Sequence, residues 1–301
     1  MSALFEIIAW TLTITALSGN SFVIFLILFR KNLRLRKLNW YIISLAVADA
    51  LVALSFYPPL FFCDRWSFCQ TGIMRAFRWI FIYSSVCNLC AMTADRYLAI
   101  TKPMYHKVKV SDRIVAISIA ISWLFPIILR GVVFTPLYYL HKREAFKYFL
   151  PVIVIIFEVL PCLLILFAAL RISIVAKREQ TKHKNRSKGK AKKENQREGS
   201  RALKMILMVT FLFVFCYALE AYYTMCKNVL KLCDDTGIIQ MIRRLMLVAN
   251  SAINPFVYTF LRRDIKEEVK KLKLSCRKEK HFTRHETVID STTPSPERET
   301  R

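Results

Sequence analysis

Glycine is scarce in this chain, 6 residues of 301, which excludes a collagen-like or glycine-rich disordered polymer. Cysteine, at 9 residues, is too sparse for a disulfide scaffold. There is no His-Glu-x-x-His and no Gly-x-x-x-x-Gly-Lys-Ser/Thr, so the zinc-hydrolase and P-loop signatures are both missing. The 5 His all fall outside the long apolar stretches, and no stretch carries paired Asp. No internal repeat marks the two halves of a secondary transporter. Acidic residues are also few: 21 against 46 Lys and Arg, a formal net charge of +25. Such an excess suits nucleic acid or the cytoplasmic face of a membrane. The basic runs have no interleaved aromatics for base stacking, which argues against nucleic acid.

Apolar residues are abundant, 55% of the chain, with a mean hydropathy of +0.34. They cluster into seven stretches: Ala3–Phe29, Leu38–Phe62, Gly72–Ile100, Ile114–Val133, Phe146–Val175, Ala202–Met225 and Gly237–Leu261. Each has roughly the 20 residues that a helix needs to cross a bilayer core. Runs such as Val152–Ile156 and Ile206–Phe215 are apolar on every helical face, unlike the stripe of a soluble bundle. The first stretch is too long for a secretory signal and lacks a basic segment before it, so it reads as a retained span. The expected fold is an all-α membrane protein, a seven-transmembrane helix bundle with a short amphipathic eighth helix.

Charge sets the orientation. Arg30, Lys31, Arg34, Arg36 and Lys37 follow span 1; Lys102, Lys107, Lys109 and Arg113 follow span 3. The densest run, from Lys177 to Arg197, follows span 5, and Arg262, Arg263, Lys266, Lys270, Lys271 and Lys273 follow span 7. The connections after spans 2, 4 and 6 are far less basic. The positive-inside rule then puts the N-terminus outside and the tail in the cytoplasm, with basic loops near anionic lipid. Residues 1–274 read as one seven-transmembrane domain with its third cytoplasmic loop at about 176–200, and 275–301 as a disordered tail.

Polar residues inside hydrocarbon are costly and mark function. Asn20 lies in Gly19-Asn20-Ser21 of span 1, and Asp49 in Leu45-Ala46-Val47-Ala48-Asp49 of span 2. Span 3 ends in Asp95-Arg96-Tyr97-Leu98-Ala99-Ile100, followed by Thr101-Lys102-Pro103-Met104-Tyr105. Trp123 is in span 4 and Pro161 in span 5, and span 7 contains Asn250-Ser251-Ala252-Ile253-Asn254-Pro255-Phe256-Val257-Tyr258. In this order, one motif per span, the chain resembles a rhodopsin-like (class A) G-protein-coupled receptor from about residue 15 to 276.

The resemblance implies a signalling receptor, not an enzyme, at the plasma membrane, with heterotrimeric G proteins and arrestin as partners. It assigns the activation switch to Asp95, Arg96, Tyr97, Tyr217, Asn254, Pro255 and Tyr258. Asp49, Ser85, Asn250, Ser251 and Asn254, with Asn20 nearby, would form a polar core. That core either holds an allosteric Na⁺, on Asp49 and Ser85, or is simply hydrogen-bonded. No other cofactor is expected. Ile265, Val269 and Leu272 give the run after span 7 an apolar face suited to the membrane interface. Cys276 behind it is placed for palmitoylation, and Thr287, Ser291, Thr292, Thr293 and Ser295 offer phosphorylation sites for arrestin.

The family pattern also breaks. The loop 131–150 has no Cys, so the usual bridge from the top of span 3 cannot form. The outer cysteines Cys63, Cys69, Cys226 and Cys233 allow three pairings, of which the local bridges Cys63–Cys69 and Cys226–Cys233 are favoured. Span 6 reads Cys216-Tyr217-Ala218-Leu219, without the usual Trp and Pro. The span 5 Tyr expected eight residues after Pro161 is Ala169, and the acidic partner expected for Arg96 falls at Gly199. Where amine receptors carry Asp, 17 residues before Asp95, stands Arg78. With Arg75, Arg130, Arg243 and Arg244 it suggests a positive mouth for an anionic lipid, organic acid or peptide carboxylate. Glu158, Tyr217 and Glu220 complete the expected pocket. The acids are alternatively internal partners of Arg78. A non-signalling or arrestin-biased decoy receptor is the other functional reading. Retinal is excluded, because Gly237–Leu261 contains no Lys.

Overall fold

The computed structural model describes residues 3–59, 72–134, 143–184, 190–233 and 236–272, and these are helical almost throughout. Helix α1 is Ala3–Phe29, α2 Lys37–Phe56, α3 Gly72–Thr101 and α4 Asp112–Pro126, which continues as a π-helical segment, Ile127–Phe134. Helix α5 is Arg143–Val154, a π turn Ile155–Val159 and Leu160–Lys184. Helix α6 is Lys190–Met225, followed by the π turn Cys226–Leu230; α7 is Gly237–Leu261, and α8 covers 263–272.

Local chemistry explains several ends. Ser111 caps α4 by accepting a hydrogen bond from the Ile114 amide at 3.4 Å, and Asp112 places negative charge in the first turn. Pro103 starts the short loop helix Pro103–Lys109 after α3, where its missing N–H costs nothing. Helices α5 and α6 run well into the stretch expected to be the third cytoplasmic loop. Its Lys, Arg, Glu, Gln and Ala are good helix formers, so the charged sequence continues the helices.

Polarity is inverted relative to a soluble bundle. Phe22, Phe167, Phe211 and Phe260 are exposed, whereas Asn20, Asp49 and Asn88 are fully buried. Lipid covers the first set, and only the bundle interior satisfies the second. Five described helical segments are long and apolar enough to cross a membrane. Helices α3 and α7 are more polar because each carries two Arg in its N-terminal half: Arg75 and Arg78, and Arg243 and Arg244. Helix α3 is central, packing on α2, α4 and α5, while α1 packs on α2 and α7. A Cβ on Gly19 would lie 3.1 Å from Cβ and Cγ of Pro255, so glycine there permits the close approach of α1 to α7.

Candidate functional site

Near the C-terminal end of α3, Asp95 is buried and Arg96 half-buried. Arg96 donates twice to Asp95 Oδ2, from Nε at 3.0 Å and Nη2 at 2.5 Å. The other oxygen, Oδ1, is 2.8 Å from Nε2 of His106 on the loop helix. A carboxylate only accepts, so His106 donates. Asp95 is thus held from both sides. Sequence reasoning missed His106, whose only signal was a position one turn beyond Pro103. Tyr97 lies near Phe167 of α5, with ring centroids 6.4 Å apart.

Halfway along the bundle, Asp49 gathers three helices. Ser85 and Ser251 donate to Oδ1 at 2.7 and 2.8 Å, and Asn254 donates to Oδ2 at 2.8 Å. Asn20 is not part of this shell: its side chain donates to the carbonyls of Ala16 and Ser251, at 2.8 and 3.2 Å, linking α1 to α7. Asn250 is buried but does not bond Asp49 among the described contacts. Tyr258 is fully buried, and its hydroxyl has no hydrogen-bond partner among the described residues. A second polar relay joins α2, α3 and α4. Trp123 Nε1 donates to Ser44 Oγ at 2.9 Å, Ser44 donates to Asn88 Oδ1 at 2.6 Å, and Asn88 donates to the Ser84 carbonyl. Trp123 was conspicuous in the sequence, whereas Ser44 and Asn88 were hidden in apolar runs.

The expected pocket residues fall into separate clusters. Arg78 Nε donates to the Ser55 carbonyl at 3.0 Å, and its guanidinium lies over the Phe56 ring, 4.8 Å from the centroid. Arg244 shares an electrostatic neighbour with it, Tyr57. Glu220 is a partner of Arg243, which donates to it from Nε at 2.7 Å and also from Nη2. Arg243 also covers the Tyr223 ring at 4.1 Å. Arg78 is the expected partner of Glu220, whereas its described partner is Arg243 of α7. The π turn of α5 carries Glu158 into the core, where Tyr83 donates to it at 3.4 Å. Tyr217 is buried and stacks on Phe213, centroids 4.4 Å apart. Cys226 and Cys233 are disulfide-bonded, with Cα atoms 5.5 Å apart, across a turn where Lys231 takes a left-handed φ of 56°. Cys63, Cys69 and Cys276, and the side chain of Arg75, lie outside the described residues.

Beyond α7, Arg262 is clamped by Asp264, Arg36 reaches the same carboxylate at 3.3 Å, and Arg30 reaches Glu268 at 3.4 Å. Burial lowers the Arg262 guanidinium from its usual value and Asp264 opposes that shift. These pairs fasten α8 beneath α1.

Residues 19–258 match the family described as 7 transmembrane receptor (rhodopsin family). The chain belongs to this receptor family. It is a multi-pass membrane protein of the G-protein-coupled class, and its family is one of receptors rather than enzymes. Among its relatives, an octopamine receptor beta-2R of Chilo suppressalis is 25% identical over 309 residues, covering 88% of this chain and 78% of that receptor. A D(1B) dopamine receptor of Mus musculus is 31% identical over 135 residues, 41% of this chain and 26% of its own length. A trace amine-associated receptor 8b of Rattus norvegicus is 32% identical over 134 residues, 40% of this chain and 36% of its own. The last two matches therefore span well under half of those receptors.

Within this family, the receptor's departures have visible packing consequences. Ala169 is buried, and its carbonyl accepts a hydrogen bond from Ser173 at 2.7 Å. Helix α6 runs unbroken through Tyr217 and Leu219, as expected without a proline to interrupt its hydrogen bonds.

Proposed function

We propose that this receptor lies in the plasma membrane with its N-terminus outside, binds an extracellular ligand bearing an anionic group, and activates heterotrimeric G proteins. The observation that carries the ligand class is Arg78, half-buried on α3 at the position where the amine receptors it resembles carry Asp. A guanidinium repels an ammonium and forks onto carboxylate or phosphate oxygens. The relatives' names include octopamine, dopamine and trace amines, so Arg78 distinguishes this chain from a plain amine receptor. Organic acids, anionic lipids and peptide carboxylates all supply the required group.

Signal transfer is assigned to the cytoplasmic cluster. Release of Arg96 from Asp95 frees a guanidinium for the G protein, while Tyr258, Asn254 and Pro255 let α7 shift against the Asp49 core. That core fits a Na⁺ ion: Asp49 supplies negative charge, and the Ser85 and Ser251 hydroxyl oxygens keep lone pairs free while donating to it. A bound ion would hold the three helices in the resting arrangement. Arrestin would engage the phosphorylated tail. A decoy or arrestin-biased receptor is the second reading, favoured by Ala169 and by the Tyr217 segment without Trp or Pro.

The test is a G-protein activation panel, with arrestin recruitment in parallel, screened against organic acids, anionic lipids, short peptides and amines. Activation by anions that falls at least tenfold with Arg78→Ala is expected. Potency unchanged in Arg78→Ala would overturn the anion anchor. Arrestin recruitment with silence at every G protein would favour the decoy.

A further inference from the structure

The outer half holds two buried carboxylates, and their surroundings differ. Both oxygens of Glu220 are engaged by Arg243, with Thr224 donating to Oε1 at 3.3 Å. Glu158 is 2% exposed, and only its Oε1 is bonded, through the 3.4 Å contact from Tyr83. Its Oε2 has no hydrogen-bond partner among the described residues. The charged groups within electrostatic range are Glu220, Arg243 and Arg130. Arg243 is committed to Glu220, and Arg130 sits over Trp79, 5.7 Å from its ring centroid. A buried carboxylate oxygen with no donor is costly enough to call for a missing partner.

Aromatic rings adjoin Glu158: Tyr83 donates to its other oxygen, and Phe157 precedes it in the chain. Tyr83 and Phe157 stack with centroids 4.2 Å apart, Phe125 meets Phe157 at 5.3 Å and Trp79 meets Tyr83 at 5.5 Å. A carboxylate in an aromatic neighbourhood suits an ammonium, which the carboxylate neutralises and the rings attract. We propose that Glu158 is a second ligand anchor, binding a cationic nitrogen, so that the ligand is amphoteric.

This rests on the Arg78 reading for the anionic end, and the two anchors fix the ligand's length. Arg78 and Tyr83 are five residues apart on α3, about 7.5 Å along the axis and about 140° around it. The contacts agree: Arg78 reaches Ser55 and Phe56 of α2, and Tyr83 reaches Phe157 and Glu158 of α5. A ligand bridging them crosses the face of α3 with its charges on the order of 10 Å apart. An α-amino acid is too short, whereas an ω-amino acid with a medium chain or a short peptide is long enough.

The experiment uses the full-length receptor in nanodiscs and a series of ω-aminocarboxylates of increasing chain length. Matched n-alkanoates and n-alkylamines serve as single-charge probes, with binding read by thermal shift and signalling by nucleotide exchange on Gα. Medium-length ω-amino acids should bind at least tenfold more tightly than the alkanoate or alkylamine of equal length. Glu158→Gln should remove the advantage over the alkanoate and leave alkanoate binding unchanged. Tyr83→Phe, which keeps the carboxylate but loses its orienting hydroxyl, should cut ω-amino acid affinity several-fold with no effect on alkanoates. The proposal is overturned if ω-amino acids bind no tighter than alkanoates at any length, or if Glu158→Gln weakens both probes equally. It is also overturned if nothing in the series binds. Alkylamine binding lost in Glu158→Gln but unaffected by Arg78→Ala would keep the Glu158 anchor and remove the Arg78 reading.

Discussion

Replacing His106 with Ala should raise ligand-free signalling. Asp95 is held through both oxygens, by Arg96 on Oδ2 and by His106 on Oδ1 at 2.8 Å. The α6 acid that would otherwise restrain Arg96 is missing, since that position is Gly199. The His106 contact is therefore a principal restraint on Asp95, and through it on Arg96. A hydrogen bond to a charged group contributes about 1.5–3 kcal/mol when removed. His106 remains 19% exposed, and part of the loss is shared by the active state. About 1 kcal/mol of the difference should then fall on the resting-to-active equilibrium, roughly a fivefold change. A basal active fraction of about 1% would rise to about 5%. The assay is ligand-free G-protein activation, normalised to surface expression. His106→Gln, which keeps a donor, should stay near wild type. The reasoning is refuted if His106→Ala signals at the wild-type level, or if the Gln variant rises as far as the Ala variant.

Three other perturbations probe separate layers of the bundle. Asp49→Asn should abolish Na⁺-dependent stabilisation, which for an ion at several times its dissociation constant amounts to about 1 kcal/mol; a thermal shift with NaCl against an organic-cation chloride measures it, and an equal shift in both proteins would remove the ion site. Cys226→Ser opens a bridge between residues seven apart and should cost roughly 2 kcal/mol; unchanged thermal stability would contradict that cross-link. Gly19→Val would drive a side chain into Pro255, 3.1 Å from the Cβ position, costing about 1–3 kcal/mol and lowering surface expression, whereas wild-type expression and melting would contradict the close packing of α1 and α7.

The spans were legible where hydrophobicity alone decides them. Ala3–Phe29 and Gly237–Leu261 emerged with the same boundaries in sequence and structure. The end of α5 and the start of α6 did not, because charged helix formers continue a helix without any apolar signal. Motif residues were legible because Asp49 and Asp95 are expensive in hydrocarbon and stand out there. Their partners were less so. Glu220 and Arg243 lie on separate helices, and only the packing of α6 on α7 brings them together. His106 sits in a polar loop where a histidine draws no attention. Asn20 shows the limit of motif reasoning: its place in the core was foreseen, but its amide bonds the Ser251 carbonyl rather than Asp49. The π turn that directs Glu158 inward has no sequence signature, so the acid was visible while its surroundings were not.

The central claim is that this chain transmits a signal to a G protein through Arg96. It is tested most directly by nucleotide exchange on purified Gα subunits with the reconstituted receptor and its Arg96→Ala variant. The account predicts basal exchange above empty nanodiscs for at least one Gα class, lost in Arg96→Ala at equal receptor content. Exchange that is identical in the two proteins, or at the empty-nanodisc level for every Gα class, would contradict it.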